Sequence, residues 1–186
     1  MKRVFDYLLA IIIIFILIIP IVLIATAVRI TSKGSVLYWS NRVGRNNVIF
    51  KMPKFRSMRI DTPTVATHLL SNSDYYLTPI GSFLRRSSLD EFPQLFSVLK
   101  GDLSFVGPRP ALYNQEDLIA LRIEKGVDKL LPGITGWAQI NGRDELSIQD
   151  KVELDKEYLS CQSFWFDMKI LWMTFLKVLM RDGVSH

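Results

Sequence analysis

The clearest feature of the hydropathy pattern is an apolar run near the start of the chain. Tyr7 to Val28 forms 22 residues without a charge, and the one polar side chain in this run is Thr26. As an α-helix it would be ~33 Å long, about the thickness of the hydrocarbon core of a bilayer. A cleaved signal peptide is the alternative, because Lys2 and Arg3 resemble its basic leader, but the apolar run is long and Asp6 stands at its entrance. The pattern therefore favours a retained membrane helix.

The topology of this helix depends on a proline and on the flanking charges. Pro20 removes one backbone donor in the middle of the run and predicts a kink. Basic residues flank both ends, with Lys2 and Arg3 before the run and Arg29 and Lys33 after it. The positive-inside rule places both ends in the cytoplasm, which a single spanning helix does not satisfy. A re-entrant helix–break–helix satisfies it, and a kinked spanning helix is the alternative.

A second apolar segment runs from Phe164 to Met180. Polar residues recur along it at seven-residue spacing, at Asp167, Thr174 and Arg181. This spacing predicts a helix with one narrow polar stripe and a wide apolar face, which carries Trp165, Phe166, Trp172 and Phe175. Such a helix would lie in the membrane interface with its tryptophans at headgroup level, or it is an ordinary core helix.

Shorter periodic segments fill the chain between these two apolar runs. Val36–Lys51 is typical of a β-hairpin, with strands at Val36–Trp39 and Val48–Lys51 around turn residues. Residues 61–79 are polar and predict a long loop with a short helix at Val65–Leu70. Helices are expected at 80–86, 92–100, 114–125 and 147–160, while the glycines of 131–143 predict irregular or extended chain. The sequence thus predicts one α+β domain, predominantly helical with a small β-hairpin.

Charge and composition narrow the possible functions. Arg29 to Arg59 contains eight basic and no acidic residues, although the whole chain has a net charge of only +5. A basic block beside an apolar helix indicates attraction to anionic lipids, with a solvated basic face as the alternative. A nucleic-acid surface is not supported, since no DNA-binding motif is present. One cysteine and two histidines exclude a disulfide framework and leave almost nothing for histidine-based catalysis. Any chemistry must come from carboxylates, arginine and lysine.

Two adjacent carboxylates, Asp90 and Glu91, are the strongest catalytic candidates. Ser88 and Glu91 have the spacing of a capping box, in which the acids would only cap a helix. That helix would place Pro93 at its fifth position, where a backbone donor is needed. A helix that begins near Pro93 fits better and leaves both carboxylates just ahead of its N-terminus, where anions are also attracted.

Nearby arginines point to phosphoryl chemistry. Arg85, Arg86 and Arg109 lie within about twenty residues of the carboxylate pair. Guanidinium groups bind phosphate bidentately, Mg²⁺ bridges carboxylate and phosphate oxygens, and a carboxylate can attack phosphorus to give an acyl phosphate. Neither a P-loop nor a G-x-G-x-x-G motif is present, so nucleoside triphosphate and dinucleotide folds have no support.

Several longer motifs give the chain a resemblance to a known family. They are Lys2-Arg3-x-Phe5-Asp6, Lys54-Phe55-Arg56-Ser57-Met58, Ser88-Leu89-Asp90-Glu91-x-Pro93-Gln94-Leu95, Gly107-Pro108-Arg109-Pro110 and Pro132-Gly133-Ile134-Thr135-Gly136-Trp137-Ala138-Gln139-x-Asn141-Gly142-Arg143. Together they resemble the bacterial sugar transferases, the monotopic polyprenyl-phosphate phosphoglycosyl transferases, in their minimal form. One departure is Leu131, where many relatives have arginine, a difference expected to weaken one phosphate or headgroup contact.

The resemblance implies a reaction. The family transfers a sugar 1-phosphate from a UDP-sugar to a polyprenyl phosphate such as undecaprenyl phosphate and releases UMP, in the first membrane step of glycoconjugate assembly. Asp90 would be the nucleophile of a ping-pong mechanism through a covalent phosphosugar, and Glu91 with Asp90 would hold Mg²⁺. Lys54, Arg85, Arg109, Arg143 and Asp155 match positions associated with phosphate or substrate binding.

The resemblance also implies a location. Residues 1–30 would be a re-entrant anchor broken at Pro20, and residues 31–186 a catalytic domain on the membrane interface at the cytoplasmic face of the bacterial inner membrane. Membrane lipids and downstream glycosyltransferases are the further partners expected. Two alternatives stay open: direct displacement with Asp90 serving only as a metal ligand, and a non-catalytic membrane adaptor in which Asp90 and Glu91 are helix caps.

Overall fold

The fold is mainly helical, with two small sheets. The computed structural model describes residues 2–63, 73–142 and 146–180. Its helices are α1 (Lys2–Thr31), α2 (Gly81–Arg86), α3 (Gln94–Lys100), α4 (Glu116–Glu124), α5 (Trp137–Asn141), α6 (Ile148–Cys161) and α7 (Phe164–Met180). Its strands are β1 (Leu37–Val43), β2 (Ile49–Phe55), β3 (Ser104–Val106) and β4 (Gly133–Thr135). The predicted α+β class, predominantly helical with a hairpin, is confirmed.

Helix α1 is long and apolar enough to cross a membrane, and among the described residues no other helix meets this criterion. It continues through Pro20 without an interruption, whereas the sequence predicted two helices separated there. A proline removes only one main-chain hydrogen bond, and the apolar residues on both sides extend the helix past it. The helix assignment therefore extends through Pro20, while the kink at Pro20 and re-entry into the membrane stay predictions.

Both ends of α1 pack against the rest of the chain. Near its start, Ala10 is fully buried in the largest hydrophobic cluster, beside residues of β2, α3 and β3. Near its end, Val28 is fully buried in a second cluster with Phe55 of β2 and Leu84 of α2. Between these contacts the outer face stays uncovered, and Phe15 is 80% exposed. A helix of ~45 Å is thus attached to one domain at both ends.

The hairpin of β1 and β2 extends further than the sequence predicted. The strands are antiparallel, with Leu37 opposite Phe55 and Val43 opposite Ile49. The polar residues Ser40 and Arg42 and the pair Pro53-Lys54 were left outside the predicted strands because their composition disfavours a strand. They belong to it because alternate residues of the hairpin, such as Phe50 and Met52, enter the largest hydrophobic cluster.

A parallel pair of very short strands was not predicted. Ser104 of β3 pairs with Gly133 of β4, and Val106 pairs with Thr135. The two backbones approach so closely that a Cβ atom built on Gly133 would overlap the backbone of Gly107. Within residues 131–142 the extended chain predicted there is found at β4, and the short helix α5 follows where irregular chain was expected.

Helices α6 and α7 complete the domain. The predicted cap of α6 is confirmed, since the Ser147 hydroxyl accepts a hydrogen bond of 3.1 Å from the backbone amide of Asp150. In α7 the polar stripe faces inward: Asp167 is buried, and Thr174 is hydrogen-bonded to Thr135 at 2.8 Å. The opposite face is open to the outside, with Trp165 79% exposed. An ordinary core helix would be covered on both faces, so that alternative is wrong.

The polar loop before α2 is described only in part. Ser73–Tyr76 forms a single 3-10 turn, and Arg59 and Met58 are linked to this turn by backbone pairing with Tyr76 and Leu77. The short helix predicted at Val65–Leu70 lies outside the described residues.

Candidate active site

The two adjacent carboxylates lie in a single 3-10 turn, Leu89–Glu91, directly before α3. Pro93 is the N-cap of α3, so the predicted helix start is confirmed and both acids precede it. Ser88 makes no side-chain capping bond and adopts a left-handed backbone with φ of 55°. The capping-box alternative is therefore wrong. A non-glycine residue in this conformation costs about 1 kcal/mol and is often found at functional sites.

Cationic side chains from three other elements surround the turn. Lys54 at the end of β2 forms an ion pair with Glu91, with 2.7 Å between Nζ and Oε1. Arg109, in the loop after β3, places Nη2 3.7 Å from the same oxygen. Arg85 in the last turn of α2 donates to the Met58 sulfur at 3.3 Å and acts electrostatically on Asp90. The structure thus brings together Lys54, Arg85, Asp90, Glu91 and Arg109, as predicted.

Asp90 itself is only 7% exposed. Burial raises the pKa of the Asp90 carboxyl above its ordinary value of 3.8, and the nearby Glu91 carboxylate adds to this effect. Lys54 and Arg85 oppose it, because each positive charge favours the ionised acid. The ionised carboxylate is therefore poorly solvated, and its charge is offset in part by the nearby charges of Lys54 and Arg85. Such an oxygen is well prepared to attack an electrophile that itself carries negative charge.

The raised pKa of Asp90 leads to a prediction about stability. Because the folded state disfavours the ionised acid, the wild-type protein loses stability as the pH rises from 3.8 through the folded-state pKa. Asp90→Asn removes this loss, so we expect the variant to unfold at a higher temperature than wild type at neutral pH. The difference should shrink as the pH approaches 4. Thermal unfolding in detergent with EDTA, from pH 4 to 8, measures it.

Asp117→Asn is the matched control, because Asp117 is exposed in the first turn of α4. Comparison with this variant separates the burial of Asp90 from the general effect of losing one carboxylate. A constant difference between wild type and Asp90→Asn across this range would show that the Asp90 carboxyl titrates normally in the folded protein.

The predicted Mg²⁺ can be compared with the carboxylate oxygens that the structure places in the turn. Among the described residues no group of three or more aspartate, glutamate, histidine or cysteine side chains is arranged to hold a metal. Mg²⁺ does not require one, since it is commonly bound by one or two carboxylates together with substrate phosphates. Asp90 and Glu91 supply such a pair of hard oxygen donors, so the residues fit Mg²⁺ held jointly with a phosphorylated substrate.

Two further residues, Arg143 and Asp155, were predicted to bind the substrate. Arg143 lies outside the described residues. Asp155 in α6 is 1% exposed, and its Oδ2 accepts hydrogen bonds from Nη2 and Nε of Arg122 at 2.7 and 3.1 Å. Arg122 in turn donates to the backbone carbonyl of Arg109 at 2.8 Å. Asp155 is thus connected to the carboxylate turn through two arginines, and a direct substrate contact stays a prediction.

One further cation near the turn was missed in the sequence. Arg42 of β1 has its pKa lowered to about 10 by burial and by the neighbouring positive charge of Arg109, while Glu91 opposes the shift. Its guanidinium also donates to the Ser40 hydroxyl at 3.0 Å and to the Pro110 carbonyl at 3.1 Å. The alternation of side chains along a strand could have identified Arg42. Tyr38, Ser40 and Arg42 lie on one face of β1, and Lys54 lies on the same face because it pairs with Tyr38.

Known proteins resemble this chain over most of its length. The family described as bacterial sugar transferase matches residues 1–181. The undecaprenyl-phosphate glucose phosphotransferase of Komagataeibacter xylinus is 41% identical, over 93% of this chain and 35% of that protein. The UDP-glucose:undecaprenyl-phosphate glucose-1-phosphate transferase of Escherichia coli is 41% identical, over 95% of this chain and 40% of that protein. The chain therefore spans between about a third and two fifths of the length of these two relatives.

A third relative has nearly the same length as this chain. The uncharacterized sugar transferase EpsL of Bacillus subtilis is 40% identical, over all of this chain and 91% of that protein. The motifs around Asp90, Arg109 and Gly133 had already indicated the same family in the sequence. With a family match along residues 1–181 and relatives at this level of identity, the chain belongs to the bacterial sugar transferase family.

Proposed function

We propose that this chain is a polyprenyl-phosphate phosphoglycosyl transferase. It transfers a sugar 1-phosphate from a UDP-sugar to undecaprenyl phosphate and releases UMP, in the first membrane step of bacterial glycoconjugate assembly. The observation that carries the proposal is the buried Asp90 carboxylate, placed beside Lys54 and Arg85 in a domain attached to a long apolar helix. Relatives named for glucose 1-phosphate transfer to undecaprenyl phosphate support the same reaction.

The proposed reaction has two displacements at one phosphorus atom. In the first, an oxygen of the Asp90 carboxylate attacks the phosphorus that carries the sugar. The bond from this phosphorus to the bridging oxygen breaks, and UMP leaves with the electron pair. In the second, a phosphate oxygen of the polyprenyl phosphate attacks the same phosphorus, the acyl-phosphate bond breaks, and Asp90 regains its carboxylate. No proton transfer is required when the attacking oxygens are ionised.

The surrounding cations have separate tasks in this scheme. Arg109 and Arg85 would bind the phosphate oxygens of the donor, since arginine forks match phosphate geometry. Lys54 would keep Glu91 in place through their ion pair of 2.7 Å and lower the cost of ionising Asp90. Mg²⁺, held by Asp90 or Glu91 with the donor, would neutralise negative charge on the diphosphate and on the departing UMP.

The membrane arrangement supports a site that serves both substrates. A polyprenyl acceptor stays in the bilayer, whereas a UDP-sugar is dissolved in the cytoplasm, so the site must lie at headgroup height. Helix α1 is joined to the domain at both ends, and its outer face is apolar around the 80% exposed Phe15. A spanning helix would carry one of its ends across the bilayer. We therefore propose a re-entrant or in-plane anchor at the cytoplasmic face of the inner membrane, with Trp165 and Trp172 of α7 in the interface.

The test is a reaction without the acceptor. Purified protein mixed with a UDP-sugar and Mg²⁺, but without lipid, should release no more than about one UMP per active site and gain the mass of one phosphosugar. UDP-glucose and UDP-galactose are the first donors to test, with rapid quenching, intact-mass measurement and peptide mapping to Asp90. Addition of undecaprenyl phosphate should remove the adduct and restore turnover.

The alternatives predict other results. Turnover with both substrates present but no adduct at any quench time would favour direct displacement, with Asp90 as a metal ligand. Absence of UMP release with every UDP-sugar, together with full biological activity of Asp90→Asn, would favour the membrane adaptor. Asp117→Asn again serves as the control, since its exposed carboxylate is on α4 and should not affect the adduct.

A further inference from the structure

The loop that carries Arg109 is held through its carbonyl oxygens by charged side chains from distant elements. Lys2 of α1 donates to the Val106 carbonyl at 2.9 Å, and Arg42 of β1 donates to the Pro110 carbonyl at 3.1 Å. Arg122 of α4 donates to the carbonyl of Arg109 itself at 2.8 Å. The loop contains two prolines, which offer no backbone donors of their own. Its conformation therefore depends on donors supplied from outside it.

The Arg122 contact is the one made with the backbone of Arg109 itself. Its guanidinium is largely covered, with a side-chain exposure of 12%, and two of its nitrogens are bound by the 1% exposed Asp155. The third nitrogen is thereby directed at the Arg109 carbonyl. A planar guanidinium that is fixed at two nitrogens has little freedom at the third. The ion pair of Arg122 and Asp155, called the bracket below, thus forms a rigid link between α6, α4 and the loop.

The free-energy cost of burying the Arg122–Asp155 ion pair suggests that the pair has a role other than stabilising the fold. Burial raises the pKa of the Asp155 carboxyl, so the ion pair is formed against a desolvation penalty. A pair of apolar side chains would fill the same space without that penalty, but it could not bind a carbonyl. What the ion pair adds is the fixed position of the Arg109 backbone, from which the Arg109 side chain extends toward Glu91 at 3.7 Å.

We propose that Arg122 is a positioning residue for Arg109, and that Asp155 acts by holding Arg122 in place. This inference rests on the proposed function, because it assigns to Arg109 the binding of the donor phosphates. It gives Asp155 a role without substrate contact and makes Arg122 necessary although it lies outside the carboxylate turn. Loss of the bracket should let Arg109 move away, weaken donor binding and leave the rest of the fold intact.

The test removes both charges of the ion pair. Arg122→Met combined with Asp155→Leu avoids an unpaired buried charge and so keeps the protein folded. The matched control is Lys125→Met with Glu153→Leu, which removes a more exposed ion pair of 3.7 Å between the same two parts of the chain. We expect the first variant to lower kcat/KM for UMP release from UDP-glucose at least about tenfold, mainly through KM, and the control to stay within about twofold.

A double-mutant cycle with Arg109→Ala separates positioning from other roles. If Arg122 acts through Arg109, removing the ion pair in the Arg109→Ala background should cost less than about twofold. Hydrogen exchange at the Gly107 and Arg109 amides adds a readout that needs no activity, and it should accelerate in the paired variant only. An equal loss in both backgrounds, or unchanged kcat/KM or exchange, overturns the inference. If wild type itself releases no UMP, the proposed function fails, and exchange alone decides whether the bracket holds the loop.

Discussion

Asp90→Asn is expected to lower the rate of UMP release by on the order of 10⁴-fold or more, because it removes the nucleophile of the proposed reaction. Asparagine preserves the shape of the side chain but lacks the negative oxygen that attacks phosphorus. The buried position of Asp90 gives water little access to act in its place. Single-turnover UMP release and intact mass, measured with UDP-glucose and Mg²⁺, check both the rate and the absence of an adduct.

The comparison with Glu91→Gln makes this prediction specific. Glu91 is bound to Lys54 and lies near Arg109, so its variant should turn over slowly yet still form an adduct at Asp90. Both variants should be folded, and Asp90→Asn should be at least as resistant to heat as wild type. An adduct that forms on Asp90→Asn, or on another residue in wild type, would remove Asp90 from the role of nucleophile.

Lys2→Met is expected to destabilise the protein by about 2–3 kcal/mol and to lower its unfolding midpoint by roughly 5–10 °C. The Lys2 ammonium binds Asp167 at 2.6 Å, the Tyr158 hydroxyl at 3.0 Å and the Val106 carbonyl. Asp167 is only 4% exposed. Without Lys2, the Tyr158 hydroxyl would be the one group among these that still binds the Asp167 carboxylate. Solvent screens part of this interaction, because the Lys2 side chain is 25% exposed.

Lys100→Met is the matched control, since its ion pair with Asp102 at 3.0 Å is on a lysine that is 72% exposed. It should change the midpoint by less than about 2 °C. Lys2→Arg should recover part of the loss by keeping the charge. Equal midpoints for Lys2→Met and wild type, measured by thermal unfolding in detergent, would mean that the Lys2 contacts contribute no net stability.

The helices could be predicted from the sequence down to the six residues of α2, whereas β3, β4 and the five-residue α5 could not. Helices α1, α6 and α7 have extended patterns, and the cap at Ser147 marks one boundary. Strands β3 and β4 have three residues each, too few for a pattern, and they are paired only because Gly107 and Gly133 allow their backbones to meet. At Pro20 the break was predicted from proline chemistry and the flanking charges, whereas the helix is continuous from Lys2 to Thr31.

The part of the candidate site whose residues are close together in the sequence could be predicted. Asp90, Glu91 and Arg85 are near one another in the sequence, and Pro93 fixes their position before a helix. Arg42 and Arg122 were missed because their role consists of contacts with carbonyl oxygens 68 and 13 residues away. The pattern on α6 predicted Asp155 as a substrate contact, which stays a prediction, but it could not show the partner that Arg122 of α4 provides.

The attachment of α1 at both ends has a consequence for synthesis of the protein. The helix is synthesised before the rest of the domain, but the partners of Lys2 and Asp6 include residues up to Asp167. At bacterial translation speeds these partners follow after on the order of 10 s. During that delay the nascent helix exposes an apolar surface that only lipid or a chaperone can cover. Targeting to the bilayer must therefore precede folding, and translation that outruns targeting should leave the chain prone to aggregation.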